Sequence, residues 1–285
     1  MPLILENVSF TYMPNTPYEA RALKNVSLTV KDGEFVGVMG HTGSGKTTLT
    51  QLIAGLEAPA SGRVLLDGLD INAAQYDRAL LRKTVGLVFQ YPEYQLFETT
   101  VEKDVAFALK YSGLSQAEVQ ARVREALTAC GFDYEAVRRR SPLTLSGGEK
   151  RKAAIAGVLA ARPKLLIFDE PIAGLDPLGR QSFLELIKGL NAQGATVLMV
   201  SHNIDALCSC ARRIVALENG EVVLDGTPHE ALRDMARMDA LHLGVSAPRR
   251  VVSMLEERGV SIRQNVVSYD ELLDALMESL TGSGV

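Results

Sequence analysis

The eight residues Gly40-His41-Thr42-Gly43-Ser44-Gly45-Lys46-Thr47 constrain this chain more than any other stretch. They fit G-x-x-x-x-G-K-[ST] at every fixed position, a coincidence expected in roughly one chain of this length in a hundred. The spaced glycines permit a tight turn that aims several backbone N–H groups at one anion. An apolar strand, Glu34 to Met39, runs into the loop, and a helix from Lys46 to Leu56 leaves it. The positive end of that helix faces the same point. In such a setting Lys46 reaches the β- and γ-phosphates of a nucleoside triphosphate, and Thr47 ligates Mg2+. His41 holds a variable position and is expected only to shape the loop.

The remaining segments predict an α/β layered fold. Leu3 to Tyr12 and Ala22 to Val30 read as strands. Val64–Leu66, Val85–Phe89, Leu165–Phe168, Thr196–Val200 and Ile214–Leu217 are short, nearly continuous apolar runs. Such runs suit strands buried on both faces of a sheet, with helices between them. From about Tyr91 to Ala161 the pattern predicts a helical insertion. There Thr99 with Glu102, and Ser115 with Glu118, have the spacing of capping boxes. Beyond about Thr227 the pattern changes again, and Pro248-Arg249-Arg250 marks a break. Ser268 with Glu271 opens a last helix, on which Tyr269, Leu272, Leu273, Leu276, Met277 and Leu280 share a face. That face packs either on its own domain or on a second copy. The end, Thr281 to Val285, is expected to fray.

Several function classes are disfavoured. Apolar residues make up 47% and charged residues 22% of 285, ordinary for a globular chain and unlike a disordered one. The longest apolar candidate, Ala153 to Phe168, is cut by Arg162, Pro163 and Lys164, so no membrane-spanning helix is expected. No basic stretch precedes the apolar residues of MPLILENVSF, so no secretory signal is expected. A formal charge of −4 supplies no global basic field for nucleic acid. Three cysteines cannot build a disulfide framework, and Cys208 and Cys210 lack a second cluster for zinc; they read as buried or incidental thiols in a reducing compartment.

Two further stretches carry chemistry. Leu165-Leu166-Ile167-Phe168-Asp169-Glu170 is an apolar strand ending in two carboxylates. Ligands of open α/β sheets sit at such carboxyl ends. Asp169 is placed to hold Mg2+, and Glu170, pointing elsewhere, to polarise an attacking water. Leu145-Ser146-Gly147-Gly148-Glu149 opens a helix with a good N-cap and two glycines that expose backbone N–H groups, a second anion site without a lysine.

With these residues in order, the chain resembles the ATP-binding cassette ATPases over roughly residues 3 to 235. The resemblance rests on Gly40 to Thr47, Gln90 after a strand, Leu145 to Glu149, Leu165 to Pro171 and Val200-Ser201-His202. Ala173-Gly174-Leu175-Asp176 matches the family's dimer-contact loop. One departure is Glu149, where many members carry Gln. The resemblance implies a P-loop NTPase of RecA-like core, with an antiparallel β subdomain, a helical subdomain at about 91–161 and a small C-terminal extension. The cassette would span 1–235, and the extension, for dimerisation or regulation, 236–285. It implies two cassettes closing head to tail on two ATP molecules. Tyr12 would stack on adenine. Gly40, His41, Thr42, Gly43, Ser44, Gly45, Lys46, Thr47 and Thr48 would hold the nucleotide, and Ser146, Gly147 and Gly148 of the other subunit would cover the γ-phosphate. Thr47, Gln90 and Asp169 would serve Mg2+. Glu170, His202 and Gln90 would act in hydrolysis.

Two function classes compete on this cassette, a transporter subunit and a soluble ATPase acting on nucleic acid. The second usually needs coiled coils, zinc clusters or two cassettes in one chain, and none is present. A GTPase would carry N-K-x-D, also missing. Phe89 to Phe107, FQYPEYQLFETTVEKDVAF, resembles the ATPases of energy-coupling-factor importers, as do Tyr12 to Tyr18, Gly40 to Gly43 and Ile155 to Val158. That resemblance implies an ATPase for an importer of a vitamin or transition-metal ion, with another ATP-binding cassette transporter as the alternative. Its partners would be a second ATPase, as homo- or heterodimer, a transmembrane coupling protein docked near Tyr91 to Phe97, and a substrate-binding membrane subunit. No nucleic-acid partner is expected. It would sit peripherally on the cytoplasmic face of the cell membrane.

Overall fold

The computed structural model describes residues 2–241 and 243–281; the predicted frayed end beyond Thr281 lies outside them. Strands β1 (Leu3–Tyr12) and β2 (Ala20–Val30) pair antiparallel. Strand β3 (Phe35–Met39) is buried along its whole length and leads through the Gly-rich loop into helix α1 (Lys46–Ile53). Strands β4 (Ser61–Leu66) and β5 (Leu69–Asp70) complete a four-stranded antiparallel sheet of order β2-β1-β4-β5. Helix α2 (Arg78–Thr84) then feeds the second sheet, built by β3 with β6 (Val85–Val88), β7 (Leu165–Asp169), β8 (Thr196–Val200), β9 (Arg213–Glu218) and β10 (Glu221–Gly226). Its order is β10-β9-β3-β8-β7-β6, parallel except for the antiparallel edge pair β9–β10.

The apolar strands are continuous because both faces of this sheet are covered. Val36, Val38, Leu165, Ile167, Leu198 and Val200 face α1 and the antiparallel sheet. Their alternates Phe35, Met39, Leu166, Phe168, Val197 and Met199 face the helices on the other side. Each such side chain stabilises the fold by about 1.5–3 kcal/mol on burial, and this fixes the strands that carry the site.

The helical insertion contains α3 (Val101–Ala106), α4 (Gln116–Ala129), α5 (Tyr134–Val137) and α6 (Gly147–Ala160). The Ser115–Glu118 capping box forms as expected. The Thr99–Glu102 box does not. Thr100 caps α3 instead, because the Asp104 carboxylate accepts the N–H groups of Phe97 and Glu98 at 2.9 and 2.7 Å and draws the entering chain in by one residue. Glu102 is engaged elsewhere, by the Tyr134 hydroxyl at 2.5 Å.

Helices α7 (Pro177–Ala192) and α8 (Ile204–Cys210) flank the parallel sheet, and α9 (Pro228–Ala231) and α10 (Met235–Ala240) follow β10. Sequence reading missed β10. Its signal was the Asn219-Gly220 pair, both at positive φ, which turns β9 back on itself as a hairpin. Helices α11 (Ala247–Glu257) and α12 (Tyr269–Thr281) enclose a small core of Val252, Val266, Leu272 and Ala275. The predicted single face of α12 therefore splits. Leu272 and Leu276 turn inward, while Tyr269, Leu273, Met277 and Leu280 stay exposed. The pair is tied to the rest by Ala247 N donating to Asp205 Oδ1 at 2.8 Å and by His229 Nε2 at 3.0 Å from Glu271 Oε1. Among the described residues no helix is long and apolar enough to cross a membrane. Cys130, Cys208 and Cys210 are free, and burial pushes the Cys130 and Cys208 thiols up to about 12, which removes them as nucleophiles.

Candidate active site

Strand register sets out the site. Val38 and Asp169 both lie level with Val200, and Val88 with Phe168. The residues that leave these strands are Gly40, Ser201-His202, Asp169-Glu170 and Gln90, and they emerge side by side at one carboxyl edge of the parallel sheet.

The loop after β3 tolerates only glycine at two points. At Gly40 (φ +156°) a Cβ would lie 2.4 Å from Ser44 Oγ and 2.5 Å from the Leu217 carbonyl. At Gly45 (φ +106°) it would lie 2.5 Å from the Ala22 carbonyl. Lys46 is buried and spans the loop, with Nζ donating to the Gly40 carbonyl at 2.7 Å and the His41 carbonyl at 2.9 Å. Burial pushes its pKa down, against the attraction of Glu170 and Asp169. Ser44 Oγ is buried without a hydrogen-bond partner. Helix α1 has no side-chain cap and no acidic residue in its first turn, so its N–H groups remain open to an anion. An orphaned hydroxyl, a spanning ammonium and free amides together fit a triphosphate.

Asp169 ends β7 at 4% exposure. Desolvation raises its pKa, while a hydrogen bond from Thr47 and the charges of Lys46 and His202 oppose the rise. A carboxylate beside a hydroxyl is an all-oxygen donor pair and fits a hard divalent cation. Glu170 takes the left-handed conformation (φ +50°), rare for a residue with a Cβ, and this turns its side chain away from that of Asp169. Its N–H donates to the Val200 carbonyl at 3.0 Å. Its Oε1 is buried with no hydrogen bond of its own, and His202 Nε2 lies 3.3 Å away as a close charge contact. Desolvation raises the Glu170 pKa, and the His202 ring and backbone N–H hold it back. Tyr12 sits on the flank of α1. Its hydroxyl donates to Gln51 Oε1 at 3.1 Å and meets Thr48 Oγ1 at 3.0 Å, and its ring stands edge-on to Phe10 at 4.8 Å.

The second glycine motif lies apart. Ser146 caps α6 in a full capping box, with Glu149 Oε2 accepting the Ser146 N–H at 2.8 Å and Ser146 Oγ accepting the Glu149 N–H at 3.3 Å. A carboxylate performs this role as well as an amide, so Glu149 completes the cap. A Cβ on Gly147 or Gly148 would meet nothing within 4 Å. These glycines therefore leave open surface rather than serve packing within the chain. Among the described residues no hydrogen bond or ion pair joins this motif, or the exposed Gln90, to the loop at Gly40–Thr47. The structure thus brings Lys46, Thr47, Asp169, Glu170 and His202 together and leaves Ser146–Gly148 facing outward.

Sequence reading passed over Arg151 and Glu93. Arg151, on α6, is almost fully buried, and it ion-pairs with Glu93 at 3.1 Å. A lone arginine one turn into a polar helix start reads as a surface charge, so no pattern marked it.

The sequence pattern of the family described as ABC transporter matches residues 23–173. The match takes in the loop, the Ser146 motif and the Asp169-Glu170 strand. The chain belongs to this family. Within it, the chain is 48% identical to the energy-coupling factor transporter ATP-binding protein EcfA2 of Symbiobacterium thermophilum, over 99% of this chain and 98% of that one. The EcfA2 protein of Caldanaerobacter subterraneus subsp. tengcongensis is 44% identical over 99% of both. Among solved structures, cbiO1 from Clostridium perfringens, described as part of the ABC transporter complex cbiONQ, superposes with a TM-score of 0.74 at 33% identity, over 89% of this chain and 98% of that one. The ATP-binding cassette MJ0796, in a dimeric post-hydrolysis state bound to ADP and Pi, gives 0.71 at 34% identity, over 79% and 98%. The cassette is an ATP-binding ATPase of the energy-coupling-factor type.

Proposed function

We propose that this chain binds MgATP between two head-to-tail cassettes and hydrolyses it to energise an importer for a vitamin or transition-metal ion. The observation that carries the dimeric reading is the open surface at Gly147 and Gly148. Their exposed amides have no use within one chain, and they fit a γ-phosphate held by Lys46 of a second copy or of a related cassette. Thr47 and Asp169 would hold Mg2+, with Gln90 closing in from its strand end. Bound there, the cation neutralises charge on the β- and γ-phosphates. Glu170, turned away from the cation pair and held proton-prone by burial, accepts a proton from the attacking water. His202 steadies that carboxylate and faces the γ-phosphate. Tyr12 stacks on adenine. Most of the chemistry is positioning and charge stabilisation.

The proposed division is a cassette at 1–235, with helices at about 91–161 as its docking arm, and an extension at 236–285 that helps hold the dimer. Tyr91, Tyr94 and Phe97 are exposed just beyond Gln90, and Phe97 is braced edge-on against Phe107 at 4.9 Å. This apolar ridge supports docking of a transmembrane coupling protein, with a substrate-binding membrane subunit beyond it. The chain itself would then sit on the cytoplasmic membrane face through its partners. Gentle solubilisation and affinity capture of the tagged chain tests the reading. Recovery of a small membrane scaffold, a substrate-binding membrane protein and a cassette ATPase is the expected result. Recovery with nucleic acid or ribosomes alone would overturn the transport reading and leave the ATPase standing.

A further inference from the structure

Arg151 lies on α6 one helical turn after Gly147, on the same face of the helix. It joins three separate segments. Its guanidinium pairs with both carboxylate oxygens of Glu93, at 3.1 and 3.2 Å, in the turn Pro92–Gln95. Its Nη1 donates to the Ala173 carbonyl at 2.6 Å. Its charge lies 5.8 Å from the centre of the Tyr91 ring. Ala173 in turn donates its N–H to the Glu170 carbonyl at 3.2 Å. An unbroken polar chain therefore runs from Glu93, beside the exposed Tyr94, through Arg151 to the backbone of Glu170.

Both ends of this chain are conformationally exacting. Tyr91 (φ +56°) and Glu170 (φ +50°) are left-handed residues that carry a Cβ. Such residues persist only where their surroundings over-determine them. Arg151 is the side chain that touches the surroundings of both. The planar five-donor fork of arginine serves a carboxylate and a carbonyl at once, which a lysine ammonium cannot do in one geometry.

We propose that Arg151 is a positioning residue, which locks the backbone behind Glu170 to the Tyr91–Gln95 turn so that nucleotide state and docking segment change together. This rests on the nucleotide site proposed above. A buried ion pair can also be mere glue, so the test must read more than stability.

The chain has no tryptophan, so Tyr94→Trp supplies a single fluorophore on the exposed segment. In a Glu170→Gln background, MgATP is expected to change its emission. Adding Glu93→Gln or Arg151→Lys should leave the affinity for a fluorescent ATP analogue within about threefold but reduce the emission change at least about fivefold, the lower range of allosteric coupling. With Glu170 restored, Arg151→Lys should lower kcat at least about tenfold while KM for ATP stays within about threefold, the signature of a lost positioning effect. Should Arg151→Lys fail to fold, Glu93→Gln decides alone, since it leaves the Ala173 contact in place. An undiminished emission change in Glu93→Gln, or no change in the parent reporter while the analogue binds, overturns the proposal. Failure of the parent to bind the analogue overturns the nucleotide site and the proposal together, whereas loss of the transporter reading alone would leave these results untouched.

Discussion

At the scale of single residues, Glu170 carries the sharpest expectation. On the proposed mechanism, replacing it by Gln removes the proton acceptor and keeps the shape, so hydrolysis should fall about 10²–10⁴-fold while ATP still binds and holds the dimer closed. Turnover near the wild-type rate would show that another group is the base. The pH dependence follows from the same burial. Desolvation raises the Glu170 pKa above the ordinary glutamate value, so the active, ionised form is lost on acidification earlier than for an exposed glutamate. The acid limb of kcat should therefore lie above that ordinary value and vanish in Glu170→Gln. Lys46→Ala should abolish productive ATP binding, because Nζ spans the loop through the Gly40 and His41 carbonyls and carries its positive charge there; an equilibrium nucleotide titration reads it directly. Lys46, Asp169 and Glu170 were legible in the sequence because strand–loop and strand–end chemistry is local. Arg151 was not, because its partners Glu93 and Ala173 are 58 and 22 positions away.

At the scale of elements, α6 shows how a local signal sets an exposed surface. Ser146 and Glu149 satisfy each other's N–H groups, which fixes the first turn and leaves the Gly147 and Gly148 amides pointing outward. Ser146→Ala should cost about 1 kcal/mol of stability, the usual value of a cap, read by denaturant titration. It should also slow hydrolysis in the dimer, since the same hydroxyl would face the γ-phosphate. Hydrogen bonds from the Ser146 backbone and then its hydroxyl hold the Glu149 pKa below the ordinary value. A depressed carboxylate contributes stability above its unfolded pKa and loses it as the pH falls through the folded one. Glu149→Gln keeps the cap without the titration, so its melting temperature should fall less on acidification while turnover stays within about twofold. An unaltered acid sensitivity would assign that loss to other carboxylates. Strands with a continuous apolar run, such as β7 and β8, were readable to within a residue, and the Ser115–Glu118 box marked the start of α4. The cap of α3 moved because Asp104 reaches back to Phe97 and Glu98, a tertiary pull that spacing alone does not register.

At the scale of the whole molecule, the fold holds the two glycine motifs apart, and on the proposed reading assembly joins them as halves of one site. The Gly40–Thr47 loop and Glu170 lie at the carboxyl edge of the parallel sheet, while Gly147 and Gly148 open on solvent from the helical arm. The C-terminal helices bear on this. They bury Leu272 and Ala275 within their own small core, yet Leu273, Met277 and Leu280 remain exposed on α12 at spacings of four and three, one continuous helical stripe. An unpaired stripe of this kind suits contact with a second cassette. Removing residues after about 247 takes away that stripe without deleting any residue of the nucleotide site. The truncated cassette should bind ATP with unchanged affinity per site but dimerise more weakly, so its specific ATPase activity should acquire a dependence on protein concentration that the full chain lacks. Sedimentation with MgATP in the Glu170→Gln background separates the two effects. A truncated chain that dimerises as tightly as the full one would mean that nucleotide and the Ser146 motif alone hold the pair, and that α11 and α12 bind something else.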